Sequence, residues 1–463
     1  MKGRRLAWPM YERVSSGLGP RPASIPHEEL RERQRAFTSQ LDASTVAIIT
    51  NNPVGVRTAD VHHRHRANSY MLYLTGWTEE GGVAVFHNTE GDWKCRLYVQ
   101  PRDVLKETWE GRRPGVEGAL EWPIDETKSL ARLDSDLSDL LNNADSVHHV
   151  TGLDAKVDEI VDKALNEQSR SRQRFGTGPD TLCDPRPILN EMRLLKSAHE
   201  IALMQHAADL ASLAHVKAMR HANADVGEWE LQAIIEGCFL YHESHWSYPS
   251  IVGGGDNATI LHYGDNSDRV KNGDLVLIDA GCEFDGYASD ITRTFPVNGK
   301  FSDAQREIYD MVLRAEEAGI AASVVGAPYD APHKVVCDIL QEGLEALGII
   351  SKELAQDEKF KLMREFFMHG TGHWLGLDVH DVGVYFPDGE DEPARNLEVG
   401  MVMTIEPGLY FGAWREDIEI PSRYAGIGIR IEDDVLITED GPVVLTASCP
   451  KSIEEIEALI GSN

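Results

Sequence analysis

The sequence predicts an α/β protein of two domains, and three observations support this prediction. The chain has 463 residues, 42% of them hydrophobic and 26% charged, a length that allows roughly two to four domains with their own cores. Strand-like and helical segments alternate through the first 187 residues. Beyond them, helices followed by a pair of strands occur twice, which indicates an internal structural duplication.

The N-terminal part of the chain is expected to form a compact α/β domain. A lead-in punctuated by proline precedes a charged helix over 28–41 and a buried strand over 46–50. Three further strands and an acidic helix follow, at 70–74, 82–86, 96–99 and about 129–142. Residues 170–187 are polar and contain several Gly and Pro, which is typical of a linker. We therefore predict domains over 1–187 and 188–463, with 1–20 as a flexible extension.

The second domain is expected to contain four long helices and two pairs of strands. The helical patterns cover about 190–221, 226–242, 302–323 and 330–348. The first pair of strands, 275–281 and 287–295, is joined by the turn signal Asp285-Gly286. The second pair consists of 401–410 and 426–438.

Charge and composition exclude several classes of function. With 45 basic and 76 acidic residues the formal net charge is −31, so no nucleic-acid or anionic membrane partner is expected. No run of 18 apolar residues occurs, so no membrane span is predicted. Six scattered cysteines without a C-x-x-C pair favour a reducing cytoplasm. Three early basic residues and two serines leave organellar targeting as the alternative.

Two acids, Asp279 and Asp290, lie on opposite arms of the first strand pair. A two-residue turn at Asp285-Gly286 would pair Gly281 with Asp290 and leave Asp279 two residues further along the same face. A longer turn would place the two acids directly opposite each other. In either register their side chains lie roughly 4.5–8 Å apart, close enough to hold a common cation. The alternative is that each acid caps a strand and faces solvent.

Two further acids and three histidines extend this candidate site. Glu406 and Glu432 each follow an apolar, alternating run in the second strand pair. His369, His373 and His380 lie in the glycine-rich segment HGTGHWLGLDVHD, where glycines allow a close approach to one centre. Acids in an apolar site repel one another unless a cation lies between them. The sequence therefore predicts a metal site, with packed core histidines as the alternative for the imidazoles.

Charge balance favours two metal ions. Four carboxylates and one neutral imidazole contribute −4, which two divalent cations neutralise. Oxygen ligands with a single imidazole suit Mn²⁺ better than zinc. Two ions roughly 3.5–4 Å apart generate a hydroxide at neutral pH and stabilise both oxygens of a tetrahedral intermediate. The predicted reaction is hydrolysis of an amide or ester by a bridging hydroxide.

These residues and motifs resemble those of the pita-bread metallopeptidases, the family of methionine aminopeptidase, prolidase, aminopeptidase P and creatinase. The five ligands of the family fall within IDAG, SDITRTF, HGTGHWLG, TIEPG and RIEDD, on Asp279, Asp290, His373, Glu406 and Glu432. The resemblance implies that Asp290 and Glu432 bridge two metal ions, that Asp279 holds one, and that His373 and Glu406 hold the other. It also implies a C-terminal pita-bread catalytic domain.

Within this family the chain is most similar to aminopeptidase P. The segments RANSYMLYLTGW and ETWEGRRPG resemble its N-terminal domain, and SIVGGGDNATILHYGDN and HWLGLDVHDVG resemble its catalytic half. The resemblance implies an N-terminal creatinase/aminopeptidase P-type domain and removal of the first residue from peptides whose second residue is proline. It also implies a homodimer or homotetramer in which Trp109 reaches a neighbouring subunit's site, with an ordinary packed aromatic as the alternative.

The same resemblance implies roles for residues around the metal ligands. Glu406 would act as general base and then as general acid. His262 and His380 would donate hydrogen bonds to the scissile carbonyl oxygen or its oxyanion. His369 and Arg430 would line the proline side of the cleft. For Arg430 the alternative is a salt bridge that only orients a ligand.

Two other functions stay open on the sequence alone. Prolidase shares the five ligands but cleaves only dipeptides, and the N-terminal motifs argue against it. A non-enzymatic pita-bread binding module usually lacks part of the ligand set, whereas all five ligands are present in this chain.

Overall fold

The computed structural model describes residues 18–89, 91–389 and 391–461, except for the side chains of 168–171. Most of the predicted extension, 1–20, therefore lies outside the described residues. The chain forms two compact units. Ile25–Arg193 are called here the N-terminal unit, and Leu194 onward, together with the described residues up to Ser24, are called the C-terminal unit. No helix in the described residues combines the length and the apolar composition needed to span a bilayer.

The N-terminal unit is built on a mixed sheet. Its strands are β1 Thr45–Thr50, β2 Val56–Thr58, β3 Val61–His62, β4 Val83–His87, β5 Lys94–Val99, β6 Glu126–Ser129, β7 Ser146–His149 and β8 Thr181–Cys183. Its helices are α1 His27–Thr38, α2 Ser69–Thr75, α3 Val104–Glu110, α4 Gly115–Gly118, α5 Leu133–Leu141, α6 Ala155–Phe175 and α7 Arg186–Leu194. Six strands form the sheet in the order β6-β5-β4-β1-β7-β8. Ile48 and Val85 of this sheet pack against Leu137 of α5 and Val161 of α6.

One predicted element of this unit is wrong, because residues 70–74 form a helix rather than a strand. The side chain of Asn68 accepts the backbone N–H of Tyr70 and so caps the start of α2. Gly76, with φ +68°, ends it. An apolar run this short does not separate a strand from a buried helix by its periodicity. In addition, α6 continues to Phe175, into the segment predicted as a linker.

The C-terminal unit contains the second set of elements. Its strands are β9 His245–Trp246, β10 Ile251–Gly254, β11 Leu275–Asp279, β12 Cys282–Phe284, β13 Tyr287–Ala288, β14 Thr292–Pro296, β15 Val402–Ile405, β16 Gly408–Phe411, β17 Ile427–Arg430, β18 Asp433–Thr438 and β19 Gly441–Val444. Its helices are α8 Ala198–His221, α9 Glu228–Tyr241, α10 Asp303–Ala322, α11 Ala331–Ala346, α12 Gln356–Arg364 and α13 Ile453–Leu459. The helix predicted over 190–221 is divided, because Ser197 and Glu200 form a capping box that starts α8.

Both predicted strand pairs are present, and each consists of two short ladders that share one register and are separated by a gap in the pairing. In the first pair Asp279 lies opposite Thr292, and Glu283 lies opposite Ala288. This is the register predicted from the two-residue turn, which is thereby confirmed. In the second pair β15 pairs with β18 and β16 with β17, again in one common register. An isolated bridge between Thr292 and Glu432 joins the two pairs.

Candidate metal centre

Four acidic side chains lie where the two strand pairs are interrupted. Asp279 is the last residue of β11, and Asp290 lies two residues before β14. Glu406 directly follows β15, and Glu432 directly precedes β18. At the first interruption the backbones approach so closely that a Cβ on Gly281 would lie 1.8 Å from the carbonyl oxygen of the opposite strand. Glycine is therefore required there, and the acids converge on the region between the two pairs.

Asp290, His373 and Glu432 form the centre of this cluster. Each of them offers a ligand atom, and these atoms all lie within 4.8 Å of one another. His373 Nε2 lies 3.5 Å from Asp290 Oδ2 and 3.8 Å from Glu406 Oε1. The structure therefore brings together residues that are up to 142 positions apart in the sequence, which is the separation of Asp290 and Glu432.

Asp279 is joined to the cluster by two other side chains. The hydroxyl of Tyr248 lies 2.5 Å from Asp279 Oδ1 and also within hydrogen-bond distance of Asp290 Oδ1, so its single proton is shared between the two carboxyl groups. Burial raises the pKa of Tyr248 well above its ordinary value, so the phenol stays protonated and acts as the donor. Arg430 Nη2 lies 2.5 Å from Asp279 Oδ2. Arg430 therefore forms a buried salt bridge with one of the candidate metal ligands.

Burial and mutual repulsion raise the pKa values of three acids of the cluster, Asp290, Glu406 and Glu432. Burial, together with the charges of neighbouring acids, raises the pKa of Asp290 and raises that of Glu432 well above its ordinary range. Burial raises the pKa of Glu406 to about 7. The guanidinium of Arg430 interacts with Asp279, Glu406 and Glu432, so one permanent cation faces a cluster of four carboxyl groups. Divalent cations fit this donor set, because carboxylate oxygens with one imidazole are ligands that such ions accept.

The backbone orients His373 toward the acids. Its Nδ1 donates to the carbonyl oxygen of Trp374 over 2.9 Å, which leaves Nε2 directed at the carboxylates. Burial alone would lower the pKa of His373, but Asp290 and Glu406 raise it to about 9. A Cβ on Gly372 would lie 1.9 Å from the carbonyl oxygen of Thr404, so the residue before this histidine has to be glycine.

His369, Tyr410 and Arg430 form a chain of hydrogen-bonded side chains at one side of the cluster. His369 Nδ1 donates to the carbonyl oxygen of Gly370 over 2.7 Å, and its Nε2 accepts from the hydroxyl of Tyr410 over 2.8 Å. Arg430 Nη1 donates to the same hydroxyl over 3.0 Å. Burial, with the charge of Arg430, lowers the pKa of His369 to about 3. His369 is therefore neutral, and its Nδ1 lies 3.7 Å from Glu406 Oε2.

His380 and His262 lie near the same centre. The ring of His380 is 4.3 Å from that of His373, measured between centroids. Burial lowers the pKa of His380, and the charges of His373 and His262 lower it further. His380 is thus a neutral imidazole with one N–H to donate. His262 is exposed, and its charge is one of the charges that lower the pKa of His380.

Trp109 belongs to the other unit, where it lies on α3. Its side chain is 89% exposed. The alternative interpretation of an ordinary packed aromatic is therefore wrong, because the ring contacts solvent rather than a core.

A buried network of charged side chains contacts the backbone of Glu432 and the side chain of Asp433. Arg293 donates to the carbonyl oxygen of Glu432 over 2.6 Å and to Asp433 Oδ1 over 2.7 Å. Lys451 donates to Asp433 Oδ2 over 2.6 Å and to Glu316 over 2.7 Å. Arg293 also donates to the carbonyl oxygens of residues 292, 449 and 450. The segment that follows β19 therefore completes the hydrogen bonding around Asp433, the residue next to the candidate ligand Glu432.

Several residues around the cluster were not predicted from the sequence. Thr292 donates to Glu432 Oε2 over 2.6 Å, and its position two residues after Asp290 was a signal that they share a strand face. The carboxylate of Asp434 accepts the backbone N–H of Asp290 over 3.1 Å. His215 Nε2 donates to the carbonyl oxygen next to Asp279 over 3.0 Å. No sequence pattern singles out Asp434, His215 or Tyr248, because each contact joins distant segments.

Sequence models of two families match the chain. The model of metallopeptidase family M24 matches residues 202–439. The model of the aminopeptidase P N-terminal domain matches residues 30–149.

Individual relatives match over almost the whole chain. The Xaa-Pro aminopeptidase of Escherichia coli (strain K12) is 43% identical over 95% of this chain and 98% of its own length. Xaa-Pro aminopeptidase 3 of Homo sapiens is 32% identical over 94% of this chain and 84% of its own length. The solved structure of E. coli aminopeptidase P with the inhibitor Pro-Leu has a TM-score of 0.88 at 43% identity, over 95% of this chain and 99% of that chain.

Proposed function

The chain belongs to metallopeptidase family M24, and we propose how its candidate metal centre performs the reaction of a Xaa-Pro aminopeptidase. The enzyme is a hydrolase that releases the N-terminal residue from peptides whose second residue is proline. The family, the fold class and the enzyme class predicted from the sequence are confirmed by similarity over the full length of the E. coli enzyme. The metal centre, by contrast, is argued from geometry.

The observation that carries the proposal is the convergence of Asp290, His373 and Glu432 within 4.8 Å of one another. Membership of the family implies divalent metal ions, and we assign two of them to this site, both Mn²⁺. Asp290 and Glu432 would serve both ions, Asp279 one, and His373 with Glu406 the other. Such a pair of ions, when bound, supplies an activated water and polarises the scissile carbonyl.

The side chains around the cluster supply proton transfer and hydrogen bonds. Glu406 faces both His373 and His369, and it would carry the proton from the attacking water to the leaving nitrogen of proline. His380 is neutral and would donate its N–H to the carbonyl oxygen as negative charge develops there. His262 would donate to the same oxygen.

The proline ring requires a pocket because its nitrogen has no N–H to donate. We assign this pocket to His369, Tyr410 and Arg430, which form one hydrogen-bonded chain beside Glu406. These contacts hold the three side chains rigid, so the pocket can select the ring by its shape rather than by a hydrogen bond to the peptide nitrogen.

We also propose that the protein is a homodimer or homotetramer in the cytoplasm. An indole that is 89% exposed, that of Trp109, suits a contact with a second subunit. The six cysteines are all free thiols, which suits a reducing compartment.

The test is cleavage of a Xaa-Pro-Yaa tripeptide beside the matching Xaa-Pro dipeptide, after chelator treatment and reloading with Mn²⁺. Asp290→Asn removes a proposed ligand charge, and Asp440→Asn makes the same chemical change at an exposed turn. We expect release of Xaa from the tripeptide by the wild-type enzyme and by Asp440→Asn. Asp290→Asn should be inactive. Cleavage of the dipeptide alone would indicate a prolidase, and absence of metal-dependent turnover would indicate a binding module.

A further inference from the structure

Glu228 is a buried carboxylate that organises a loop of the C-terminal unit. It lies in the first turn of α9, and its exposed fraction is 0%. A carboxylate removed from water in this way is costly unless hydrogen bonds satisfy its oxygens. Four donors supply those hydrogen bonds, and all four belong to residues 254–268.

Each oxygen of Glu228 accepts two hydrogen bonds. Oε1 accepts from the backbone N–H of Gly254 over 2.7 Å and from Asn257 Nδ2 over 3.0 Å. Oε2 accepts from the hydroxyl of Tyr263 over 3.0 Å and from the backbone N–H of Asp268 over 2.8 Å. Hydrogen bonds to an ionised acceptor are about twice as strong as neutral ones. One side chain of α9 therefore fixes the beginning, the middle and the end of this loop.

The loop carries His262, which directly precedes Tyr263. The side chain of Tyr263 is 9% exposed and points inward to Glu228, whereas His262 is exposed. Leu261, on the other side of His262, packs against the apolar cluster of Ala258, Leu277 and Tyr410, of which Tyr410 lies beside the metal centre. His262 is thus held between two anchored neighbours, and its own side chain is free to meet a ligand.

We propose that Glu228 is a positioning residue that sets the place of His262 at the metal centre. The inference rests on the proposed function, in which His262 donates a hydrogen bond to the scissile carbonyl oxygen. A donor of this kind is effective only when it is held in the right place before the charge develops. No strand ladder extends through residues 260–263, so side-chain contacts hold them in place, and Glu228 supplies one of these contacts through the hydroxyl of Tyr263.

The experiment is a double-mutant cycle on the Mn²⁺-loaded enzyme, with kcat and KM measured on a Xaa-Pro-Yaa tripeptide. Glu228→Gln keeps the shape of the side chain but replaces one oxygen by an NH₂ group, so two of the four donors lose their acceptor. We expect His262→Ala to lower kcat about 100-fold, and Glu228→Gln to lower it about 10-fold with little change in KM. The double variant should match His262→Ala to within about 2-fold, because the two residues act as one unit.

A purely structural role for Glu228 predicts a different pattern. The fold-decrease in kcat caused by Glu228→Gln would then multiply with the fold-decrease caused by His262→Ala. Glu200→Gln is the matched control, since Glu200 is also buried in the first turn of a helix, α8, and accepts from Tyr287 rather than from this loop. Any fold-decrease in kcat caused by Glu200→Gln should multiply with the fold-decrease caused by His262→Ala. The inference is overturned if Glu228→Gln keeps full kcat, or if its loss multiplies in the same way.

Two further outcomes can be distinguished from failure of the proposal about Glu228. If His262→Ala keeps full activity, the proposed role of His262 is wrong, and the role of Glu228 falls with it. If Glu228→Gln does not fold, Tyr263→Phe replaces it, because this change removes one of the four donors and keeps the ring. Tyr263→Phe should then lower kcat about 3-fold in the wild-type background and have no effect in the His262→Ala background.

Discussion

Replacing Thr292 by valine tests whether the hydrogen bond behind a metal ligand sets the affinity of the centre. Thr292 is fully buried, and its hydroxyl donates to Glu432 Oε2 over 2.6 Å while it accepts from Arg430 Nε over 3.0 Å. Valine has nearly the same shape but has no hydroxyl. The change therefore removes one partner each from a carboxylate and a guanidinium that both stay buried.

The size of the effect follows from the two contacts. A hydrogen bond to a charged group contributes about 1.5–3 kcal/mol. Loss of a hydrogen bond that orients a metal ligand typically weakens metal binding by about 10–100-fold, which corresponds to about 1.4–2.7 kcal/mol. The two estimates agree, so we expect the apparent Kd for Mn²⁺ to rise about 10–100-fold in Thr292→Val. The assay is activity against free Mn²⁺ in a metal buffer, supported by calorimetric titration of the apo protein.

The same strand provides a matched control, Thr294→Val. The hydroxyl of Thr294 is buried to the same extent, but it donates to the backbone carbonyl of Arg430 and accepts that residue's backbone N–H. Its loss should cost about 1 kcal/mol of unfolding free energy without changing the affinity for Mn²⁺. Equal shifts of Kd in both variants, or no shift in Thr292→Val, would refute the reasoning.

Three further predictions follow from the surroundings of the centre. Tyr248→Phe removes the hydroxyl shared by two ligands, and the Kd for Mn²⁺ should rise about 10-fold in the same titration. The metal-free protein should lose stability as the pH rises from about 7 to 9, where the histidines with lowered pKa values are neutral in both states, and the loaded protein should not. The reason is that Glu406 and His373 both have folded pKa values above their unfolded ones, about 7 and about 9, so the folded state binds more protons in this window. Thermal unfolding at several pH values, with and without Mn²⁺, measures this difference, and an apo stability that rises with pH would contradict it. Lys196→Met leaves the buried carboxylate of Asp381 without the ammonium 3.0 Å away, and urea unfolding should show a loss of about 3–5 kcal/mol. Lys334→Met at an exposed ion pair is its control, with an expected loss below about 1 kcal/mol.

The sequence predicted the acids of the centre well, because strand geometry fixes which side chains share a face. The turn Asp285-Gly286 determined the register, and the register placed Asp279 and Asp290 on one side of the pair. The resemblance to a known family then implied the remaining ligands. The segment 70–74 was predicted wrongly because its helix depends on two capping residues rather than on periodicity.

The residues that support the ligands could not be predicted in the same way. Tyr248 lies 42 positions from Asp290, and Glu228 lies 35 positions from Tyr263, so no local spacing relates them. Their roles depend on the packing of α9 and of the loops after β9 and β10 against the strand pairs. Such contacts appear only when the whole unit is assembled, because they are made by side chains from separate elements.

The charged network behind Glu432 makes the position of this candidate ligand depend on a segment outside the strand pairs. Arg293 and Asp433 form a buried ion pair, and Lys451 and the carbonyl oxygens of residues 449 and 450 satisfy the hydrogen bonds that the pair leaves open. Removing one partner from a buried ion network is strongly unfavourable. Local unfolding of residues 449–451 would therefore disturb the backbone at Glu432 as well, so the stability of this segment and the geometry of the candidate metal centre are coupled.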